Sequence, residues 1–260
     1  MPDKRRVQAA FSRAAPDYDR CAVWQRQTAV RLLTRLKTAP ANALDLGCGT
    51  GVVAGLLAAR CPHCALVGLD LAPGMIAQAQ LKFWQNADIV FQVGDMEHIP
   101  YPDESFELIV SNLALQWLDE PRRVFAEVFR ALKPGGVFLF STLAAGSLRE
   151  LRQAYALAGG TAGLHKFQPA GELQRALLGQ GLLPEIFTAA LEVQWFADLR
   201  ALLRSMQSVG AKSAAPGAMT KTRWQKLQQV YPRQDGRYPL TYEVVFASAE
   251  KLPMVEKTEL

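Results

Sequence analysis

No apolar run in this chain approaches the ~18 residues that a membrane-crossing helix needs, so no span is expected. The basic start Met1-Pro2-Asp3-Lys4-Arg5-Arg6 has no apolar stretch behind it and does not read as a secretory signal. Cysteine is scarce. Cys21, Cys48, Cys61 and Cys64 show no disulfide framework and suit a reducing cytosol, which makes the expected location cytoplasmic. Cys61-Pro62-His63-Cys64 is half of a zinc spacing, but no second ligand pair follows, so no metal is expected. Histidine is scarcer still: His63, His98 and His165 stand in no recognisable catalytic setting. Repeats and low-complexity tracts are missing too. What remains is ordinary globular material, 260 residues with 50% hydrophobic and 20% charged, about one large domain. A net charge of +5 favours an acidic partner without demonstrating one.

The informative stretch is Leu44-Asp45-Leu46-Gly47-Cys48-Gly49-Thr50-Gly51. An apolar run ends at Asp45, a glycine-rich turn follows, and Val52 to Arg60 reads as a helix. Strand, turn and helix N-terminus are a usual place for a nucleotide-like ligand at the carboxyl edge of a parallel sheet. A dinucleotide fingerprint would rest a pyrophosphate on that helix. Here an acid stands directly before the turn and would repel phosphate, so the spacing favours a ligand carrying an ammonium group. That points to S-adenosylmethionine rather than NAD, and the stretch resembles the first motif of class I methyltransferases.

Residues 5–20 are too broken by Pro16 for one long helix, and a helical face runs from Ala22 to Leu36. Residues 5–38 thus read as an N-terminal helical cap. Strands are expected at 42–46, 65–70, 88–93, 106–111 and 136–142, and helices at 52–60, 73–82 and 120–132. The alternation implies right-handed crossovers and a parallel sheet with helices on both faces. Asp70 ends the second strand, where a carboxylate can accept from both ribose hydroxyls, with Leu71 beside it; a helix N-cap is the competing reading. The third strand ends in Gly94-Asp95-Met96 and the fourth in Ser111-Asn112-Leu113-Ala114-Leu115-Gln116-Trp117. Beyond the fifth strand come a helix at 170–179 and strands near 186–195 and 242–248. Two insertions, about 143–168 and 196–238, begin on the ligand edge and read as a lid.

Several stretches together resemble the biotin-pathway malonyl-carrier-protein O-methyltransferases, the BioC family. They are Ala9-Ala10-Phe11-Ser12-Arg13-Ala14-Ala15 with Tyr18, Gln25-Arg26-Gln27, the segment from Ser111 to Trp117, Arg204-Ser205-Met206, Gly210-Ala211, and Gly236-Arg237-Tyr238-Pro239-Leu240-Thr241-Tyr242. The likeness runs from about Val7 to Ala249, one methyltransferase domain over 1–250, and leaves Lys251 to Leu260 as an expected disordered tail. It implies an α/β Rossmann-like fold with a seven-stranded, mostly parallel sheet and helical lid insertions. It also implies methyl transfer from S-adenosylmethionine to the free carboxylate of a malonyl thioester on acyl carrier protein, early in biotin synthesis. By resemblance Asp95 receives the adenine amino group and Met96 packs on the ring. Asp45, Gly47, Gly49, Asp70, Leu71 and Asn112 complete the cofactor set. Tyr18 lies over the methionyl end, and Gln116 and Trp117 face the substrate.

A malonate half-acid titrates near ~4 and is ionised at neutral pH, so no general base is required. Catalysis would rest on alignment and exclusion of water. A carboxylate buried under a lid must be paired, and the lid offers Arg200, Arg204, Lys212 and Arg237. Leu199, Leu202, Leu203 and Met206 form one helical stripe with Arg204 nearly opposite. If that stripe packs on the core, Arg204 meets solvent; if it anchors the helix within the lid, Arg204 faces the cleft. The resemblance selects Arg204, with Arg237 second. Competing readings are a small-molecule O-methyltransferase for another free acid or a phenol or quinone precursor, and a non-catalytic S-adenosylmethionine-binding protein. No nucleic-acid partner is expected, since no Asn-Pro-Pro-Tyr or Asp-Pro-Pro-Tyr segment follows the fourth strand. Association with another biotin-pathway enzyme is left open.

Overall fold

The structure, a computed structural model, describes residues 4–159, 165–208 and 220–252. Seven strands form one sheet: β1 (Asn42–Leu46), β2 (Ala65–Asp70), β3 (Ile89–Val93), β4 (Phe106–Asn112), β5 (Leu132–Leu143), β6 (Leu182–Phe196) and β7 (Tyr238–Lys251), in the order β3-β2-β1-β4-β5-β7-β6. β3, β2, β1, β4 and β5 pair in parallel, and β7 runs antiparallel to both its neighbours, β5 and the edge strand β6. The apolar runs at 43–46 and 108–111 are buried on both faces, as a central parallel strand requires.

Helices cover the two faces. On one, α3 (Val23–Leu33), α4 (Val52–Arg60) and α5 (Pro73–Lys82) bury Leu32, Leu57 and Ala79 in one core with Ala43 of β1, Leu66 of β2, Ile89 of β3 and Leu108 of β4. On the other, α6 (Pro121–Ala131) and α8 (Ala170–Leu178) bury Val124, Phe125 and Leu177 against Phe138 and Phe140. Before α3, Pro16 interrupts the chain as expected. Helix α1 (Lys4–Ala14) passes through a single 3-10 turn, Ala15–Asp17, into the short α2 (Tyr18–Cys21).

Three strands outrun the expectations. β5 begins at Leu132, not 136, because Pro134-Gly135-Gly136 lies inside it. The register slips there, with Phe106 opposite Leu132 and Leu108 already opposite Val137, so the extra residues are accommodated in a bulge. β6 and β7 extend to 182–196 and 238–251 because they pair with each other from Leu182↔Lys251 to Phe196↔Tyr238. Lys251, taken from the sequence as the start of a tail, is instead a buried strand residue whose ammonium donates to Leu132 O at 2.8 Å. The rest of that expected tail, 253–260, lies outside the described residues, as do Gly210, Ala211 and Lys212.

The insertions carry α7 (Arg149–Leu157), α9 (Leu199–Ser208) and α10 (Lys221–Val230). They have a small core of their own, built by Leu151, Tyr155, Leu202, Leu227 and Tyr231 with Leu240 of β7. Among the described residues no helix is long and apolar enough to cross a membrane, and no cluster of His, Cys, Asp and Glu is placed to hold a metal.

Candidate active site

The turn after β1 is pinned by its own backbone: the Gly47 and Cys48 amides both donate to Leu69 O, at 2.8 and 3.1 Å. Gly47 takes φ +70°, and a Cβ on it would stand 2.4 Å from the Ala114 Cβ, so only glycine lets the turn pass beneath the end of β4. Three acids come to this edge from three adjacent strands. Asp45 is buried, and its carboxylate oxygens have no well-formed hydrogen bond among the described residues, the Ala54 N–H giving only a weak pull toward ionisation. Burial, with the neighbouring Asp70 charge added, pushes its carboxyl up to about 8. Asp70 accepts from Gly49 N–H at 2.9 Å through one oxygen and from Ala72 N–H at 2.8 Å through the other. It is not the N-cap of α5, which is Ala72. Burial raises its pKa, against the pull of those two bonds. Asp95 accepts from Glu97 N–H at 3.0 Å and from the Lys4 ammonium at 2.6 Å. Burial opposes its ionisation, but the Lys4 bond and charge outweigh it and hold the carboxyl below its usual range.

Helix α1 is the roof. It sits so close to α5 that a Cβ on Gly74 would meet Ser12 O at 2.6 Å. Gln8 Nε2 donates to Leu71 O at 2.9 Å, Lys4 binds both Asp95 and Glu97, and Phe11 meets the Trp117 ring edge-on with centroids 5.5 Å apart. Beneath it lies a cavity, partly open to solvent, walled by α1 on one side and by the ends of β1, β2, β3 and β4 on the other.

Tyr18, Gly47, Gly49, Asp70, Leu71, Asp95, Met96, Asn112 and Trp117 all line this cavity, whereas Asp45 is buried and is not among its lining residues. The Asn112 amide is committed on both sides, donating to Gln25 O and accepting from the Ser141 hydroxyl, so its backbone is what it offers a ligand. Gln116 is buried outside the cavity, donating to Leu113 O and accepting from Thr142 Oγ1. Arg204 and Arg237 do not reach the cavity. The stripe of α9 packs on the lid's own core, yet Arg204 is exposed, and Arg237 is exposed with a long contact to Trp195 O. Arg200 lies over the Trp224 ring. The sequence reading placed Phe11 only within the family-like stretch and gave Lys4, Gln8 and Phe11 no part in the site, although residues 4, 8 and 11 already stand at helical spacing.

The donor set fits S-adenosylmethionine. Asp45 carboxylate oxygens without a well-formed hydrogen bond suit an ammonium, and Asp70, with one N–H on each oxygen, keeps lone pairs for two hydroxyls. Residues 44–140 match the family described as "Methyltransferase domain". The chain is 38% identical to malonyl-acyl-carrier-protein O-methyltransferase from Laribacter hongkongensis, covering 95% of this chain and 89% of that one. Against the enzyme of the same name from Yersinia pestis it is 39% identical, over 94% and 90%. Its fold is shared with geranyl diphosphate C-methyltransferase from Streptomyces coelicolor, solved with S-adenosyl-L-homocysteine, at TM-score 0.58 and 16% identity over 87% and 79%. The chain belongs to the malonyl-acyl-carrier-protein O-methyltransferase family of S-adenosylmethionine-dependent enzymes.

Proposed function

We propose that this enzyme methylates the free carboxylate of a malonyl group carried as a thioester on acyl carrier protein. The observation that carries the proposal is the meeting of two structures at Trp117: an acid-lined cofactor cavity roofed by α1, and a lid with its own core beside it. S-adenosylmethionine supplies the transferable methyl group as part of a sulfonium. Asp45 would balance its ammonium, Asp70 would accept from the ribose hydroxyls, and Asp95 with Met96 would hold the adenine. Tyr18, which lines the cavity and whose hydroxyl burial holds un-ionised, would close the methionyl end.

The acceptor carboxylate is ionised already, near ~4 for such an acid. The sulfonium would supply the methyl group and its sulfur would keep the electron pair of the released bond, so the carboxylate needs no proton removed. What the protein contributes is placement and exclusion of water, supplied by the roof at Phe11 and Tyr18 and by the lid beyond Trp117. The lid also supplies charge. Residues 197–238 hold eight Lys or Arg against two Asp or Glu, net +6 in a chain whose total is +5. Exposed Arg204 and Arg237 belong to this basic surface, which suits an acidic carrier protein.

Incubation of malonyl carrier protein with enzyme and S-adenosylmethionine, followed by intact mass, should show the gain of one methylene. Equal activity on free malonate or malonyl-CoA would replace the carrier protein by a small-molecule acceptor.

A further inference from the structure

We propose that Arg152, seated with His165 beyond Trp117, pairs the substrate carboxylate; this rests on the malonyl reading above. Arg152 points inward from α7 and is half-buried. Its guanidinium donates from Nη2 to His165 O at 2.6 Å and makes a long contact from Nε to Ser147 O at 3.4 Å. No carboxylate lies within ion-pair distance among the described residues, and Nη1 has no hydrogen-bond partner there. The other lid arginines differ. Arg149 is paired with Glu150 at 3.1 Å, Arg200 lies over an indole, Arg233 lies over the Tyr238 ring, and Arg204 and Arg237 stand in solvent. Arg223 is half-buried too, but it acts on Tyr155 of the lid core and has no contact with His165 or Trp117.

A half-buried guanidinium with no acid beside it is an electrostatic debit that an incoming anion removes. Burial depresses the Arg152 guanidinium, consistent with a charge that nothing local offsets. The surroundings point the same way. The guanidinium carbon lies 5.8 Å from the Phe167 ring centroid, and that ring meets His165 at 5.4 Å. The imidazole in turn stacks on Trp117 at 5.9 Å, and Trp117 lines the cofactor cavity. Guanidinium, phenyl ring, imidazole and indole therefore form a chain of contacts that reaches the cavity at Trp117, although Arg152 and His165 do not themselves line it. His165 is a second group to consider: its Nε2 is buried with no well-formed hydrogen bond among the described residues, although the Gln116 backbone beside the imidazole favours its protonated form. A purely structural clamp explains the bond to His165 O but not a guanidinium with no acid beside it. Arginine's planar fork holds a carboxylate while leaving a lone pair for the methyl carbon.

The test compares binding of malonyl- and acetyl-carrier protein, which differ by the carboxylate, with S-adenosylhomocysteine bound so that nothing turns over. The unaltered enzyme should prefer the malonyl form by about 10- to 100-fold, the range of a charged hydrogen-bonded pair. Arg152→Gln should reduce that preference to within about 3-fold while leaving S-adenosylhomocysteine affinity unchanged, and Arg152→Lys should recover part of it. If Arg152→Gln does not hold S-adenosylhomocysteine, Arg152→Met, which keeps the packing on Phe167, carries the same comparison. A preference that survives in the Gln or Met variant overturns the assignment. Failure of the unaltered enzyme to methylate malonyl carrier protein at all would instead remove the malonyl reading.

Discussion

Glu150 holds Thr241 twice: its carboxylate accepts from the Thr241 backbone N–H at 2.9 Å and from the Thr241 hydroxyl. Glu150 opens α7 in the first insertion and Thr241 lies in β7 just after the second, so this pair fastens both halves of the lid at one buried point. Burial opposes ionisation of Glu150, but the Thr241 bonds outweigh it and hold its pKa below the usual value. A depressed carboxyl stabilises the fold above its unfolded pKa and loses that contribution as pH falls through the folded one. Glu150→Ala should cost about 1–3 kcal/mol in urea unfolding at neutral pH, and its deficit relative to the unaltered enzyme should shrink below pH ~4.

Asp45 titrates the other way. With its carboxyl raised to about 8, the free folded protein keeps a proton there that the unfolded chain releases near ~4. Stability of the free enzyme should therefore fall as pH rises across that window and level off above it. An ammonium beside Asp45 favours the carboxylate, so cofactor binding at pH 7 should release a proton. Calorimetry in buffers of different ionisation enthalpy measures this, and Asp45→Asn should abolish the release. Binding without proton release in the unaltered enzyme would remove the ammonium assignment.

Removal of the Asp70 carboxylate tests the ribose contact. Asp70→Ala should weaken S-adenosylmethionine binding by about 1–3 kcal/mol, read by titration calorimetry. Part of that loss comes from the freed Gly49 and Ala72 amides, which Asp70→Asn separates because its amide oxygen still accepts one of them. Unchanged affinity in both variants would sink the role.

The roof should be a moving part. Lys4→Ala removes the contacts to Asp95 and Glu97 that tie down the start of α1. Its expected effect is several-fold faster cofactor dissociation in stopped flow, with added salt narrowing the difference. Cleavage near Arg13 should be slowed by bound cofactor, and equal protease sensitivity with and without it would count against gating.

For the basic lid the readout is the carrier protein itself. Arg204→Glu should raise KM for malonyl carrier protein and flatten its salt dependence while cofactor affinity stays the same. An unaltered KM would place the docking face elsewhere.

Local features made the cofactor half of the molecule readable in advance. The run ending at Asp45, the glycine turn, and acids closing strands two and three are each visible within a few residues. Strand lengths were not, because β6 and β7 extend each other by pairing, and no apolar run marks Pro239 or Thr241 as strand. The bulge at Pro134 likewise exists only against its partner strand. Arg152 had no signature either. Its significance comes from the missing acid beside it and from the stacking of His165 on Trp117, and both depend on segments distant in sequence.

Roof and lid belong to separate stretches of chain, residues 4–21 for the roof and the two insertions carrying α7, α9 and α10 for the lid, and the Phe11–Trp117–His165 stack lies where they approach. The cofactor cavity is therefore walled by α1, and the basic surface suited to a carrier protein lies on different segments of the chain. Cofactor and carrier protein need not queue for the same surface.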